Sequence, residues 1–508
     1  MANFPLNILP GIKRDGTIFE GNYYNNGQHC RFQRGKPRSM GGFKQITNQL
    51  PGISRGMYVQ PRSNLVDMYS GSSNLLVFSE TDFDGNGGAI TDRTPSTLTA
   101  SANNLWQFDS MFDTTSSANV LIAHAAQNLN DINNSIEDPI WYGPTNASSA
   151  LIPFAASKSA SGGILVIHPF LFYFSNDGFV AWSDANTPSI FTGGLSGSAR
   201  ITSNKIVTGL QTRGGTGAPS GLLWSLDSLV KATFIGSPNF FQFDTITDQS
   251  SILSSQCVIE EAGIYYWIGI DQFYYYNGVV KELPNDMNLN FFFENLNFDH
   301  RQKVWATKIR RYGEIWWFFP LGDSEECNHA IIYNYKEHTW YDTALSRSAG
   351  YFSQLFPFPV MADTQVTSTG TYNLWEHEYG ADQLIGLNAT AIDKNITTSD
   401  ISFCATGPDG KWLGIERDVK LTRIEPDSQG SPLSVQTGAM SVTVSGRKFA
   451  NSPLETANAP YPFSPTTEKI DMREQHRQMY LTFDSNTLGG SFQLGQTIIH
   501  LEPGDVRP

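Results

Sequence analysis

The sequence predicts an all-β fold: a β-propeller of six or seven ragged blades, with an additional β-rich domain formed by the N- and C-terminal segments. Three observations carry this. The 508 residues are 40% apolar and only 16% charged, which is enough for a large core and too little charge for disorder. Its 33 Phe, 20 Tyr and 11 Trp sit beside 45 Gly and 26 Pro, the mixture of strand and turn formers that short strands joined by tight turns require. Between about Ile53 and Trp375 a unit recurs of apolar strand, tight turn, aromatic strand, turn and a third strand with outward polar residues. Its repeat of about 40 to 50 residues is that of propeller blades rather than of helical solenoids.

In chain order, residues 1–50 are strand-and-turn in character but too few for a core of their own, so they are expected to pack with the C-terminal part or with a neighbouring subunit. Residues 51–375 form the propeller. Gly56 to Ser79 and Asn104 to Ala125 are its poorer copies; Gly163 to Ser183, Lys205 to Phe234, Gln256 to Leu283 and Lys303 to Leu345 are its better ones. Asn-Asp-Gly at 176 to 178 and Asn-Gly at 277 and 278 are hairpin turns, because glycine takes the positive φ those turns demand. Seven aromatic side chains fall in the twelve positions from Tyr265 to Tyr276. In a propeller the inner strands are buried on both faces, so alternation collapses into such runs, and Tyr265, Trp267, Phe273 and Tyr275 are read as packing between blades. A short helix is expected within Asn285 to Leu296. Residues 376–508 form a β-rich domain, with "MSVTVSGRKF" and "QMYLTFDS" alternating at period two.

Charge is asymmetric. Through Arg62 there are nine Lys or Arg against Asp15 and Glu20, a net of +7, so the other 446 residues carry −21 of a total of −14. Such a basic arm docks on an acidic neighbour or on nucleic-acid phosphates, or is simply solvated. Cys30, Cys257, Cys327 and Cys404 have no paired spacing and suit thiols made in a reducing cytoplasm. No apolar stretch reaches the roughly 18 residues of a membrane span, and the N-terminus lacks the pattern of a secretion signal.

Catalytic and ligand motifs are mostly absent. Gly52 to Gly56, "GISRG", matches a nucleophile elbow without the strand-to-helix turn that motif needs. The "GGTGAP" at 214 to 219 has no Gly-Lys-Ser/Thr after it and is read as a loop. "DFDGNGG" opens like a calcium loop, but Arg93 stands where the bidentate carboxylate belongs, so Asp82, Asp84 and Asn86 are a minor metal hypothesis. The histidines never take zinc-ligand spacing. "SNDGFVAW", Ser175 to Trp182, is close to the Asp-box turn of sialidases but has its glycine one place early and occurs once. No cofactor, metal or catalytic residue is expected.

One resemblance spans both ends and most of the middle. "NYYNNGQHCRFQRGKPRSMGGFK", Asn22 to Lys44, resembles the "YxDGxWxRFRxGxPxxxGG" opening of the tail nozzle proteins of short-tailed bacteriophages, also called packaged-DNA stabilisation proteins or tail tubular proteins B. "ITDRTP", "AWSDANTPSIFT", "KIVTGLQTRGG", "GIYYWIGIDQFYYYNG", "RRYGEIWWFFP" and "AIIYNYKEHTWYDTAL" follow in order, and Arg477 to Pro508 is similar to that group's terminal strands. His29 and Cys30 depart from the pattern where an aromatic pair is usual, and Thr97 to Pro153 is private to this chain. The resemblance implies a non-enzymatic virion tail protein made in the host bacterial cytoplasm. It would be a ring of six copies continuing the DNA channel below portal and adaptor, retaining the genome until infection and supporting fibres or spikes. Double-stranded DNA would slide past an acidic body without sequence-specific binding, since a basic wall grips phosphates. Arg31, Arg34, Lys36 and Arg38 are then expected to dock on an acidic face of the adaptor or of the adjacent subunit. The alternatives are a receptor- or glycan-binding propeller that uses exposed Trp and Tyr as platforms and, third, a propeller glycosidase with paired carboxylates at the central mouth.

Overall fold

The computed structural model describes all residues except 1, 18–21, 63–64, 82–86, 102–104, 127–137, 146, 155–158, 214–217, 357, 403, 407–411, 415–416, 430–438, 450, 456 and 507–508. Among the described residues six antiparallel sheets follow one another as meanders, each with its strands in chain order, and a seventh sheet completes the ring. The first blade runs from Met57–Arg62 to Gly87–Asp92, the second from Leu105–Asp113 to Ile152–Pro153, and the third from Gly163–Ile167 to Gly197–Arg200. The fourth runs from Ile206–Gln211 to Phe240–Thr247, the fifth from Ile259–Glu261 to Val280–Glu282, and the sixth from Trp305–Ile309 to Thr339–Ala344.

The seventh blade closes the ring. Arg347–Tyr351, Val360–Val366 and Tyr372–His377 supply three strands, and the fourth is Phe43–Leu50, paired as Leu374 with Ile46 and His377 with Phe43. The propeller therefore takes its closing strand from a segment N-terminal to the repeat pattern. Sewing the two ends of the repeat into one sheet leaves no gap through which the ring could open without breaking a ladder. Beyond Phe43–Leu50 the sheet adds a hairpin of Gln383–Ile385 and Asn388–Thr390.

Aromatic rings glue the blades. Trp224 of the fourth blade meets Tyr265 and Trp267 of the fifth at centroid distances of 6.0 and 5.8 Å. Phe273 of the fifth meets Trp317 and Trp340 of the sixth at 5.5 and 4.8 Å. Tyr265, Trp267 and Phe273 are buried, and half-buried Tyr275 packs on Tyr266. The hairpin glycines behave as the sequence requires, with φ of +73° at Gly178 and +110° at Gly278. The short helix is Leu289–Asn295; Asp15, from the N-terminal arm, accepts from the amides of Asn290 and Phe291 in its first turn, where unpaired N–H groups favour a carboxylate.

The second domain is woven from both chain ends. Ala2–Pro5 pairs with Ile498–Val506, Asn26–Gln28 with Lys394–Thr397, and Lys36–Ser39 with Gln493–Leu494. Met440–Arg447 and Gln478–Ser485 alternate buried and half-buried residues at period two. Their inward residues Val442, Val444, Leu481 and Phe483 share one core with Phe32 of the arm and with Trp316, Phe318 and Tyr341 of the sixth blade. The arm is thus a wedge between domain and propeller, buried on both sides.

Candidate functional site

The basic run splits in two. Arg31 is 1% exposed. Its Nε lies 2.9 Å from Glu314 Oε1, its Nη1 donates to Glu378 Oε2 at 2.8 Å, its Nη2 pairs with Glu378 Oε1, and its Cζ sits 3.8 Å from the centroid of the Tyr312 ring. Burial pulls the Arg31 pKa down, and the two carboxylates outweigh that, so the guanidinium stays charged. Burial raises the Glu314 carboxyl even with Arg31 beside it. Tyr341 Oη and Trp316 Nε1 donate to the remaining faces of Glu314, at 2.6 and 2.9 Å. Arg38 is also buried and donates to Gln33 Oε1 at 2.7 Å. The docking expectation meets buried side chains at these two: the donors of Arg31 end inside its own subunit, and Arg38 is 9% exposed. Exposed Arg34 and half-buried Lys36 remain accessible, and the amides of Arg34 and Gly35 donate to the Glu337 carboxylate.

The acidic surface that receives the arm belongs to the same chain. Arg14 Nη2 pairs with buried Asp342 at 2.9 Å, and His329 Nε2 lies 2.9 Å from the same carboxylate. Burial alone would raise Asp342; His329 and Arg14 outweigh it, and its pKa is lowered. Arg55 Nη2 donates to Glu326 at 2.7 Å and Lys303 to the same carboxylate at 2.8 Å.

A second polar cluster lies on the propeller axis, where the first strand of each blade leaves an unpaired edge that must find acceptors and donors. Gln107 of the second blade accepts from the Ile164 amide of the third at 3.0 Å and donates to the Val207 carbonyl of the fourth at 3.3 Å. Asp109, two residues on and so on the same strand face, accepts from the Val166 amide at 2.8 Å. Gln256, which precedes the fifth blade, donates to the Arg55 and Trp106 carbonyls, both at 3.0 Å, on the far side of the ring. Gln107 thus ties three neighbouring blades and Gln256 spans the ring. Burial pushes the Asp109 carboxyl up to about 6, opposed by the amides of Val166 and Ser110. Tyr58 Oη lies 2.8 Å from Ser110 Oγ, and the rings of Tyr58 and Tyr351 meet at 5.4 Å. Near them Lys308 pairs with Glu261 at 2.8 Å, and Arg213 with Glu260 at 3.5 Å. Sequence reading missed this cluster, although the polar residues at period two in "WQFDS" mark a strand edge that faces something other than core.

The remaining motifs are structural or lie elsewhere. Ser54 of "GISRG" is fully buried, donates to the Gly56 carbonyl and accepts from Ser70 Oγ, so it is no nucleophile. Asp82, Asp84 and Asn86 lie outside the described residues. Among the described residues no group of three or more His, Cys, Asp or Glu could hold a metal ion, and no helix is long and apolar enough to cross a membrane. Cys30, Cys257 and Cys327 are buried free thiols.

Fold and site together define a β-propeller protein with an appended β domain. No protein-family profile matches the chain, and neither does any curated protein. Among solved structures it is similar to an exo-β-1,3-galactanase from Phanerochaete chrysosporium, solved with β-1,3-galactotriose. The identity is 10%, over 91% of this chain and 99% of that one, with a TM-score of 0.27. At that score the likeness carries no argument about chemistry.

Proposed function

We propose that this chain is the nozzle subunit of a bacteriophage short tail: a non-catalytic protein that assembles as a ring of six below portal and adaptor, holds packaged DNA and releases it at infection. The observation that carries the reading is the order of the sequence motifs, joined to one feature of the fold. The two stretches that resemble nozzle proteins at opposite ends of the chain, Asn22 to Lys44 and Arg477 to Pro508, lie in the same domain, where Ser39 N donates to the Phe492 carbonyl at 2.9 Å and Phe492 N to Ser39 Oγ at 3.1 Å. A motif pair that meets in space is constrained as one unit.

In this reading the DNA path lies between copies and not through the propeller, because Gln256 spans the axis. Ring closure by heterologous contacts requires two different surfaces per protomer, and Arg34 and Lys36 are the members of the basic run able to serve one. The glycan-platform alternative loses the rings that prompted it, since Tyr265, Trp267 and Phe273 are consumed between blades. The test is negative-stain imaging of the purified chain mixed with the portal and adaptor of its phage. Six-fold end views capping the adaptor are expected; monodisperse particles indifferent to both partners would overturn the reading.

A further inference from the structure

A cavity of about 290 Å³ opens in the seam between the propeller and the second domain, lined by His29, Phe43, Ser346, Arg347, Gln383 and Ile392 among others. Its chemistry is set by Arg347, which is 4% exposed. A guanidinium has five N–H bonds to place. Here Nε donates to His377 Nε2 at 3.0 Å and Nη1 to the Ser346 carbonyl at 2.7 Å. The carboxylate paired with it, Asp363, stays 3.8 Å from Nη1. That carboxylate is engaged elsewhere, by Trp375 Nε1 at 2.8 Å and the Gln365 amide at 3.0 Å. The rings of Phe43 and Trp375 lie 4.9 and 5.5 Å from the guanidinium carbon and hold it in place without neutralising it.

One further cation and a neutral imidazole stand nearby. Lys394, fully buried, spends its ammonium on the Ala381 and Gly490 carbonyls. His29 faces the Asp393 carbonyl through Nδ1 at 3.1 Å, while its Nε2 is sealed from solvent with no hydrogen-bond partner among the described residues. Its φ of +47° is the left-handed conformation that side chains avoid unless their surroundings impose it. Burial, more than the partial pull of Asp363, sets Arg347, whose pKa is lowered to about 10. A buried cation whose one carboxylate partner stands off at 3.8 Å is poorly compensated, and the cavity beside it supplies room for a closer anion.

We propose that this cavity is a carboxylate-binding site, with the unfilled N–H edge of Arg347 as its anchor and Phe43, Leu345 and Ile392 as the wall for a short apolar stem. The planar fork of a guanidinium matches a carboxylate in two parallel hydrogen bonds, and the apolar wall favours an organic acid over an inorganic oxyanion. The carboxylate has two sources to choose between, a free organic acid or the C-terminus of a peptide. The proposal does not rest on the nozzle reading and stands or falls without it.

Titration calorimetry on the full chain tests it with four probes: sodium butyrate, its neutral isostere butyramide, and an acetylated Gly-Ala-Val peptide with a free or an amidated C-terminus. Saturable binding of butyrate is expected, with butyramide at least about tenfold weaker. Binding of the free-acid peptide but not of its amide, tighter than butyrate, assigns the site to chain termini; butyrate alone assigns it to free organic acids. Ala391→Trp, which fills the cavity and removes no charged group, should abolish binding while unfolding stays cooperative. Arg347→Lys should weaken butyrate by about tenfold or more, and if that variant does not fold, Ala391→Trp carries the test alone. Equal affinity for butyrate and butyramide, unchanged binding by Ala391→Trp, or no saturable heat from butyrate well above the millimolar range would each overturn it.

Discussion

At the scale of single residues, the arm is held by charges that have left water. Arg31→Ala would strand Glu314 and Glu378 in the seam, and uncompensated buried charge of that kind costs about 3–5 kcal/mol. Lys36→Ala, on a half-buried side chain, should stay within about 0.5 kcal/mol. Urea unfolding midpoints of the two variants measure the contrast, and equal midpoints would remove Arg31 from its structural role. The four charges were visible in the sequence, but their fates were not, because Glu314 and Glu378 lie about three hundred residues along the chain and nothing local announces them. Asp109 gives a second contrast. Its carboxyl is raised by burial to about 6, above the roughly 3.9 of an unfolded Asp, so folding favours the protonated form. That contribution is complete below about pH 4 and lost as pH rises through 6. The side-chain amide of an Asp109→Asn variant does not titrate. Wild type should therefore gain stability relative to the variant as pH falls from 7 to 4, with about 3 kcal/mol as the upper bound. Only the slope is diagnostic, since asparagine keeps one of the two acceptors; parallel pH profiles would count against a buried, titrating Asp109.

Among elements, Phe43–Leu50 matters most, because it ladders a segment that precedes the first blade onto the last one. Ile46 is 2% exposed, in a core with Val59, Met68 and Leu374. Ile46→Ala removes methyl groups from that seam, at about 2–5 kcal/mol. The loss should be local before it is global: hydrogen exchange of the Tyr372–His377 amides should quicken more than that of the third blade, Gly163–Ile167. Uniform quickening would mean that the strand is no separate latch. The meander was legible because each hairpin is written locally, in Asn-Gly, Asn-Asp-Gly and the aromatic runs between them. The closing strand was not, since "FKQITNQL" reads as any half-buried strand, and which sheet edge it joins is fixed by distant partners. Likewise the helix was readable at "NLNFFFENL", but its cap, Asp15, comes from the far end of the chain.

For the molecule as a whole, the charge asymmetry acquires a different meaning. Three of the nine cations through Arg62 are paired with carboxylates of the same chain, Arg14 with Asp342, Arg31 with Glu314 and Glu378, and Arg55 with Glu326. Folding thus withdraws part of the arm's positive charge, in a chain whose net charge is −14. Non-specific duplex binding comes almost wholly from cations that release counter-ions on meeting phosphates. With Arg14, Arg31 and Arg55 engaged and a net charge of −14 over the chain, accessible Arg34 and Lys36 are too few to give a strong grip on a duplex. The purified chain should bind a 30-base-pair duplex more weakly than about 10⁻⁴ M at physiological salt, read by fluorescence anisotropy. Micromolar binding that falls steeply with salt would show a cation cluster on the outer surface. That result would contradict the proposed passage of DNA along an acidic wall, because a wall that grips at rest must also retard a strand moving past it.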